Sequence, residues 1–163
     1  MCRASTSRLC LLLLTITSGC GPSKIQMSLQ KASTDEAKVA RVQSLLEEYA
    51  NGLDSCGVKI GKVVDKPSAI SASEELKKSA KRFREIAKDL KSEGKLTKAE
   101  EARLAIEPLA TASENFSKAS KGFTARMQQG TLRLEATEDL PEALLDFSKT
   151  NMEVSNALRA MSP

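Results

Sequence analysis

From residue 28 onward apolar side chains recur every three or four positions, the spacing of one face of an α-helix. Four such stripes can be followed. The first is Val39, Val42, Leu46, Tyr49 and Leu53, and it predicts a helix beginning near Ser28 or Ser33 and ended by Gly52 and Gly57. Ser33 has Glu36 three residues on, the spacing of a capping box. Residues 54–67 hold Gly57, Gly61 and Pro67 around two short apolar runs, and they read as a structured loop. The second stripe, Ser73, Leu76, Ala80, Phe83, Ala87 and Leu90, with Ile86 widening it, predicts a helix from near Ser68 or Ser71 to Gly94. The third, Ala102, Ile106, Leu109, Ser113, Phe116, Ser120, Phe123 and Met127, follows a second capping box at Thr97 and Glu100. Pro108 inside it removes a backbone donor and clashes with the preceding turn, so this helix is expected to be kinked or broken into a short and a long piece. A helix–turn–helix hairpin spanning residues 68–129 is the local expectation. The fourth stripe, Leu140, Leu144, Phe147, Asn151, Val154, Leu158 and Met161, begins around Asp139 with Pro141 tolerated in the first turn. Leu132 and Leu134 in the connection before it are placed to cap the end of the core.

Tyr49, Phe83, Phe116, Phe123 and Phe147 all fall on the stripes, and each helix carries at least one ring. Large rings on one face of four helices call for a shared core. The expected fold is all-α: a four-helix bundle, up-down-up-down with short connections and a Pro-kinked or broken third helix. Composition agrees, since aromatics make up 3% of the chain, Trp is absent, and strong helix formers abound.

Ahead of these helices stands a segment of another kind. Arg3 and Arg8 supply positive charge, Leu9 to Ile16 an apolar run, and Thr17 to Gly19 small residues leading to Cys20. Those are the three parts of a secretory signal, and the run is far shorter than the ~20 residues a membrane-crossing helix needs. Residues 1–20 resemble the signal peptide and lipobox of bacterial lipoproteins; Ser18, Gly19 and Cys20 fit the pattern, while Thr17 stands where Leu is usual. The resemblance implies removal of residues 1–19, a diacylglyceryl thioether on Cys20 as the lipid attachment, and a bacterial cell-envelope location. Gly21 in place of Asp after the cysteine leans towards the outer membrane, facing the periplasm, if sorting follows the enteric pattern. An ordinary secretory signal followed by an incidental cysteine is the other reading of the same residues. Residues 20–27 would then be the attachment cysteine and a tether spanning on the order of 20 Å, and residues 28–163 the bundle domain. The partner implied is a membrane, reached through lipidated Cys20.

Removing residues 1–19 from the 163 leaves 144, a length typical of one domain. Arg3 and Arg8 go with the signal, so 23 basic side chains face 21 acidic ones, a balance that gives no support to nucleic-acid binding. Cys2 and Cys10 also leave, Cys20 carries lipid, and Cys56 remains without an intramolecular partner. It is either a buried small apolar residue or a surface thiol able to cross-link two copies. The chain has no His, which removes imidazole bases, His metal ligands and proximal haem ligation. No metal or other cofactor is expected, and no catalytic residues are assigned. The acidic doublets Glu47-Glu48, Glu74-Glu75 and Glu100-Glu101 point about 100° apart within each pair and make poor chelates.

Two features remain as candidates for function. Lys77, Lys81, Arg84, Lys88 and Lys91 repeat in steps of four and three along the second helix, a row suited to docking on an anionic membrane or a partner. Glu74, Glu85, Asp89 and Glu93 on the same helix argue for an ordinary solvated face, with Lys81 and Glu85 spaced as a surface pair. Asn151 is a polar amide on an apolar stripe; it either fixes helix register or, with Ser113 and Ser120, marks a polar pocket between the third and fourth helices. The expected function is that of an interaction or scaffold module with an unidentified protein partner. A small-ligand or lipid carrier with a cavity between helices is the alternative.

Overall fold

The computed structural model describes residues 24–132 and 139–163, with side chains described from residue 34 onward. The signal segment, Cys20, residues 21–23 and Leu134 lie outside the described residues. Every regular element among the described residues is a helix: α1 (Lys24–Gly61), α2 (Lys66–Glu93), α3 (Lys98–Glu101), α4 (Glu107–Gln128) and α5 (Leu140–Met161).

Local chemistry accounts for most of the boundaries. Asp65 caps α2 by accepting from the Ser68 amide at 3.0 Å, while the Ser68 hydroxyl accepts from the Asp65 amide at 3.0 Å. Gly94, with φ of 70°, ends it. Thr97 and Glu100 form the expected capping box, but the helix they start is only the four-residue α3. The chain then turns, and α4 starts afresh with Pro108 in its first turn, where a missing amide costs nothing. The broken form of the third helix is therefore the observed one, and Ala102 and Ile106 fall in the link rather than on a helical stripe. The last helix starts at Leu140 after Asp139, with Pro141 in its first turn as expected.

Three expectations are corrected. The first helix begins at Lys24, ahead of both Ser28 and Ser33, so four residues assigned to the tether are helical. It also runs through Gly52 and Gly57 to Gly61, across residues expected to form a loop. Those glycines are sites of close approach, not stops: a Cβ on Gly52 would lie 2.6 Å from Phe83 Cε1, and one on Gly57 3.2 Å from Phe116 Cα. Cys56 and Ile60, both fully buried, extend the stripe past Leu53 in the same steps. Finally, the hairpin spanning 68–129 does not form. Each of α2 and α4 packs against α1, and α5 packs against α2.

Side-chain contacts give the direction of each pair. α1 and α2 are antiparallel, with Arg41 forked onto Glu93 at 2.6 and 2.9 Å, Arg82 onto Glu48, the Ser55 hydroxyl donating to Glu75 at 2.8 Å, and Lys59 to Ser71 at 3.0 Å. α4 runs alongside α1 in the same direction. Gln43 exchanges hydrogen bonds with the Ala105 backbone just before α4, and Asn115 donates to Asp54 at 3.2 Å. At the far end Arg126 donates to the Val63 and Gly61 carbonyls at 2.9 and 3.1 Å, placing a cation on the carboxyl end of α1. α5 runs alongside α2 in the same direction, tied by Arg84 to Asp146 and by the Leu96 amide donating to the Met161 carbonyl at 2.8 Å.

The core is organised around four rings, one from each long helix. Tyr49 sits edge-on to Phe83 at 4.7 Å, Phe83 meets Phe147 at 5.2 Å, and Phe147 meets Phe116 at 5.0 Å. Separations of this size are favourable beyond the area the rings bury. Leu76, Ile86, Leu90, Leu140 and Val154 fill in around them, each at most 1% exposed. Leu132 is buried at the end of α4, in line with a capping role.

Candidate functional site

The long helices differ in how completely their apolar faces are covered. Ten residues of α2 and seven of α5 are buried, but in α4 only Ala112 and Phe123 are. α4 docks closely on α1 through Gly57, and Gly61 lies 3.9 Å, as measured from an added Cβ, from the Ala119 methyl. Its other flank faces α5 with little backbone contact. Leu109, Phe116 and Met127 on α4 and Leu144 and Leu158 on α5 are consequently only half-buried, although all lie against the core.

This seam opens into a groove of about 380 Å³. Tyr49 and Leu53 of α1 form its floor, Leu109, Ala110 and Ser113 of α4 one wall with Ile106 just ahead of them, and Ser155 and Leu158 of α5 the other. Ile106, at the edge of the groove, is 64% exposed. The Tyr49 hydroxyl donates to the Asn151 side-chain oxygen. Burial raises the Tyr49 pKa above the ordinary phenol value, and a polar contact with Ser155 opposes that rise. The chemistry on offer is apolar contact with a few hydroxyls and an amide at the edge, the usual make-up of a small-ligand site.

The residues expected to mark a pocket are divided by the structure. Ser113 lines the groove. Asn151 borders the same seam but bonds across to Tyr49 on α1, so its amide is satisfied inside the fold. Ser120 lies on α4 one turn past Phe116; its hydroxyl is buried and has no hydrogen-bond partner among the described residues. None of the three touches another through a hydrogen bond. Tyr49, Leu53, Ile106, Leu109, Ala110, Ser155 and Leu158 were not singled out from sequence. Apart from Ala110 and Ser155 they lie on the stripes, where they are indistinguishable from other core residues.

Along α2, Lys77, Lys81, Arg84, Lys88 and Lys91 are all exposed. Arg84 is paired with Asp146 of α5, whereas the four lysines make no ion pair among the described residues. The surface pair expected between Lys81 and Glu85 is absent because Glu85 is held by Arg82 at 2.8 Å. Acidic residues border the row on both sides, Glu74 and Asp89 on α2 and Asp146 on α5.

Cys56 is fully buried, and its thiol lies 3.9 Å from the Glu75 carbonyl oxygen. Burial pushes its pKa up to about 11. The alternative of a surface thiol that cross-links two copies is thereby corrected: the sulfur faces the α1–α2 interface. Of the acidic doublets, all but the exposed Glu74 have partners. Glu48 is forked by Arg82, which holds its carboxyl below the usual range, Glu47 accepts from Gln43, Glu75 accepts from Ser55, and Glu100 closes its capping box. Glu101 accepts from Ser162 at 3.1 Å. Among the described residues no three His, Cys, Asp or Glu side chains are grouped to hold a metal ion, and no helix is long and apolar enough to cross a membrane. Comparison with known protein families, with curated proteins and with solved structures finds no match to this chain.

Proposed function

We propose that this chain is a bacterial envelope lipoprotein, anchored through a lipidated Cys20 at the outer membrane on the periplasmic side, whose helical domain acts by binding rather than by catalysis. Its four long helices are read as an up-down-up-down bundle in chain order, arranged around the core as α1, α2, α5 and α4. The observation that carries the binding function is the half-covered apolar seam between α4 and α5, with its groove of about 380 Å³. Apolar clefts with a few polar groups at the edge are where small ligands bind. Cys20 supplies the anchor in this reading, and the amino-terminal turns of α1 stand between it and the core, whose first fully buried side chain is Val42.

Two kinds of guest fit a binding domain: a protein partner, for which the domain is an interaction or scaffold module, and a small apolar ligand, for which it is a carrier. The groove's dimensions favour the carrier. A groove of about 380 Å³ lies within the range of small-ligand pockets, ~300–1,000 Å³. Nucleic acid has no place in this function, since the exposed lysines alternate with acids.

Mass spectrometry of the mature chain from its native host tests both parts. The expected spectrum shows Cys20 as the first residue with a diacylglyceryl group, and under native conditions a stoichiometric apolar adduct. An unmodified Cys20 or a cut elsewhere would overturn the anchor. A clean mass, together with a protein cross-linked to the groove residues, would overturn the carrier in favour of the scaffold.

A further inference from the structure

The outer face of the α2–α5 layer is sorted by charge in a way that the order of residues along α2 conceals. Five acids lie among the cations of α2, but four of them are drawn to the α1 side. Glu75 accepts from Ser55, Glu85 is held by the same Arg82 that forks Glu48, and Asp89 and Glu93 line a crevice with Arg41 and Ser44 of α1. Lys77, Lys81, Arg84, Lys88 and Lys91 keep to the other side, which Arg84 marks by its bond to Asp146 of α5. All five are exposed, and Glu74 is the one acid of α2 left beside them.

α5 continues this face. Leu145, Lys149 and Met152 each lie two residues from a buried core side chain, Phe147 or Val154, which turns them about 200° away from the core. Leu145 and Met152 are 58% and 63% exposed. The register set by Arg84 with Asp146 and by Leu96 with Met161 brings them level with Lys81 and Lys88. Ile70, 45% exposed, stands two turns before Lys77 on the same side of α2. Across the whole face seven cations, the row together with Lys149 and Arg159, meet four acids, Glu74, Glu142, Asp146 and Glu153.

A net positive surface with exposed aliphatic side chains among its cations matches the headgroup region of an anionic bilayer. Lysines on flexible stems meet a diffuse negative surface without fixed partner geometry, whereas carboxylates presented by a protein are better matched by arginine. Apolar side chains beside the lysines enter between the headgroups. We propose that the α2–α5 face docks on an anionic phospholipid bilayer, with Lys81 and Lys88 at the headgroups and Leu145 and Met152 inserted beside them. The helices then lie along the membrane surface, where the row from Lys77 to Lys91 covers ~21 Å.

The test uses the chain from residue 20 onward carrying Cys20→Ser, which retains every packed contact described above. It bears no lipid, so the result is separate from the anchor and from the groove's guest. Flotation measures its binding to vesicles of one part phosphatidylglycerol to two parts phosphatidylethanolamine, and to vesicles of phosphatidylcholine alone. The anionic vesicles should bind at least about tenfold more tightly, and release the chain as salt is raised from ~0.1 to ~0.5 M. Lys81→Gln combined with Lys88→Gln should weaken binding about thirtyfold. Lys118→Gln combined with Lys121→Gln, the same loss of charge on α4, should change it less than about twofold. Leu145→Ser combined with Met152→Ser should weaken it about tenfold, with an unchanged far-ultraviolet circular dichroism spectrum, since both positions are open to solvent. No binding to the anionic vesicles, equal binding to both kinds, or an equal loss in the α4 variant would overturn the proposal. Unchanged binding by the Leu145 and Met152 variant would overturn the insertion. Failure on vesicles, together with an acidic protein cross-linked through Lys81 in the host, would assign the face to that protein instead.

Discussion

α5 forms one seam with α2 and another with α4, and the two seams are built differently. On the α2 side, small buried side chains recur on both helices, Ala69, Ala72, Ala80 and Ala87 facing a partner that contributes Ala143 and Ala157. Small residues let backbones approach, and the large side chains between them, Leu76, Phe83 and Phe147, are then enclosed completely. On the α4 side the small residues are turned towards α1, Ala119 lying against Gly61 and Ala112 bordering a crevice with Ala50, Asn51 and Asp54. What α4 offers α5 is Leu109, Ser113, Phe116 and Ser120. The rings meet, but the exposed Ser113 hydroxyl has nothing to gain from a dry interface, since a buried polar group without a partner costs free energy, a cost the buried Ser120 hydroxyl already carries. The lesson is that an apolar stripe is not enough to close a seam. Which small residues flank it decides which neighbour the helix approaches.

The largest expected effect separates the two seams by stability. Leu76→Ala, at a fully buried position, should cost about 2–5 kcal/mol in chemical denaturation, the range for a core leucine that leaves a cavity. Leu109→Ala on the groove wall should cost about 1 kcal/mol, because part of that side chain already meets water. Equal costs would mean that the α4–α5 seam is as dry as the other, and the comparison would fail.

Hydrogen exchange gives a second measure. α4 is anchored on one flank only, so its amides should exchange faster than those in the middle of α2 and α5, which open only with the whole fold. Gly57→Val, which brings a branched side chain against the Phe116 backbone, should sharpen the contrast by loosening α4 while protection in α2 persists. Uniform loss of protection across all helices would show that α4 is not a separable layer.

The smallest effect concerns pH. Arg82 holds the Glu48 carboxyl below its usual range and Arg41 does the same for Glu93, both across the α1–α2 interface. A carboxylate with a lowered folded-state pKa contributes stability at pH values above its unfolded pKa, and that contribution is lost as the pH falls through the folded value. The denaturation midpoint should therefore drop as the pH is lowered from about 5 towards 3, and Glu48→Gln should flatten the decline. Both arginines reach into solvent, which screens the pairs, so the contribution of each is small. A decline unchanged by Glu48→Gln would assign the acid sensitivity to other groups.

Much of this architecture was legible in the chain. The stripes put one aromatic ring from each long helix into the core, and Tyr49, Phe83, Phe147 and Phe116 do join there. Pro108, Gly94 and the Thr97–Glu100 box marked real boundaries. The glycines of α1 were misread because the same residue serves two ends: it stops a helix where the backbone must turn, and it continues one where a neighbour needs the space of its Cβ. Gly52 and Gly57 are of the second kind, which depends on Phe83 and Phe116, residues distant in sequence. The groove was foreshadowed only by Ser113, because its aliphatic residues look like any others on a stripe.

Helix content and most of the core's membership follow from local spacing and composition, because a 3.6-residue period needs no knowledge of neighbours. Which helices lie side by side needed the folded chain. α4 pairs with α1, and α5 with α2, through close approaches whose cost and benefit depend on both surfaces at once. That choice leaves one seam sealed and the other open, and it places Cys56 in the interior and the groove at the edge.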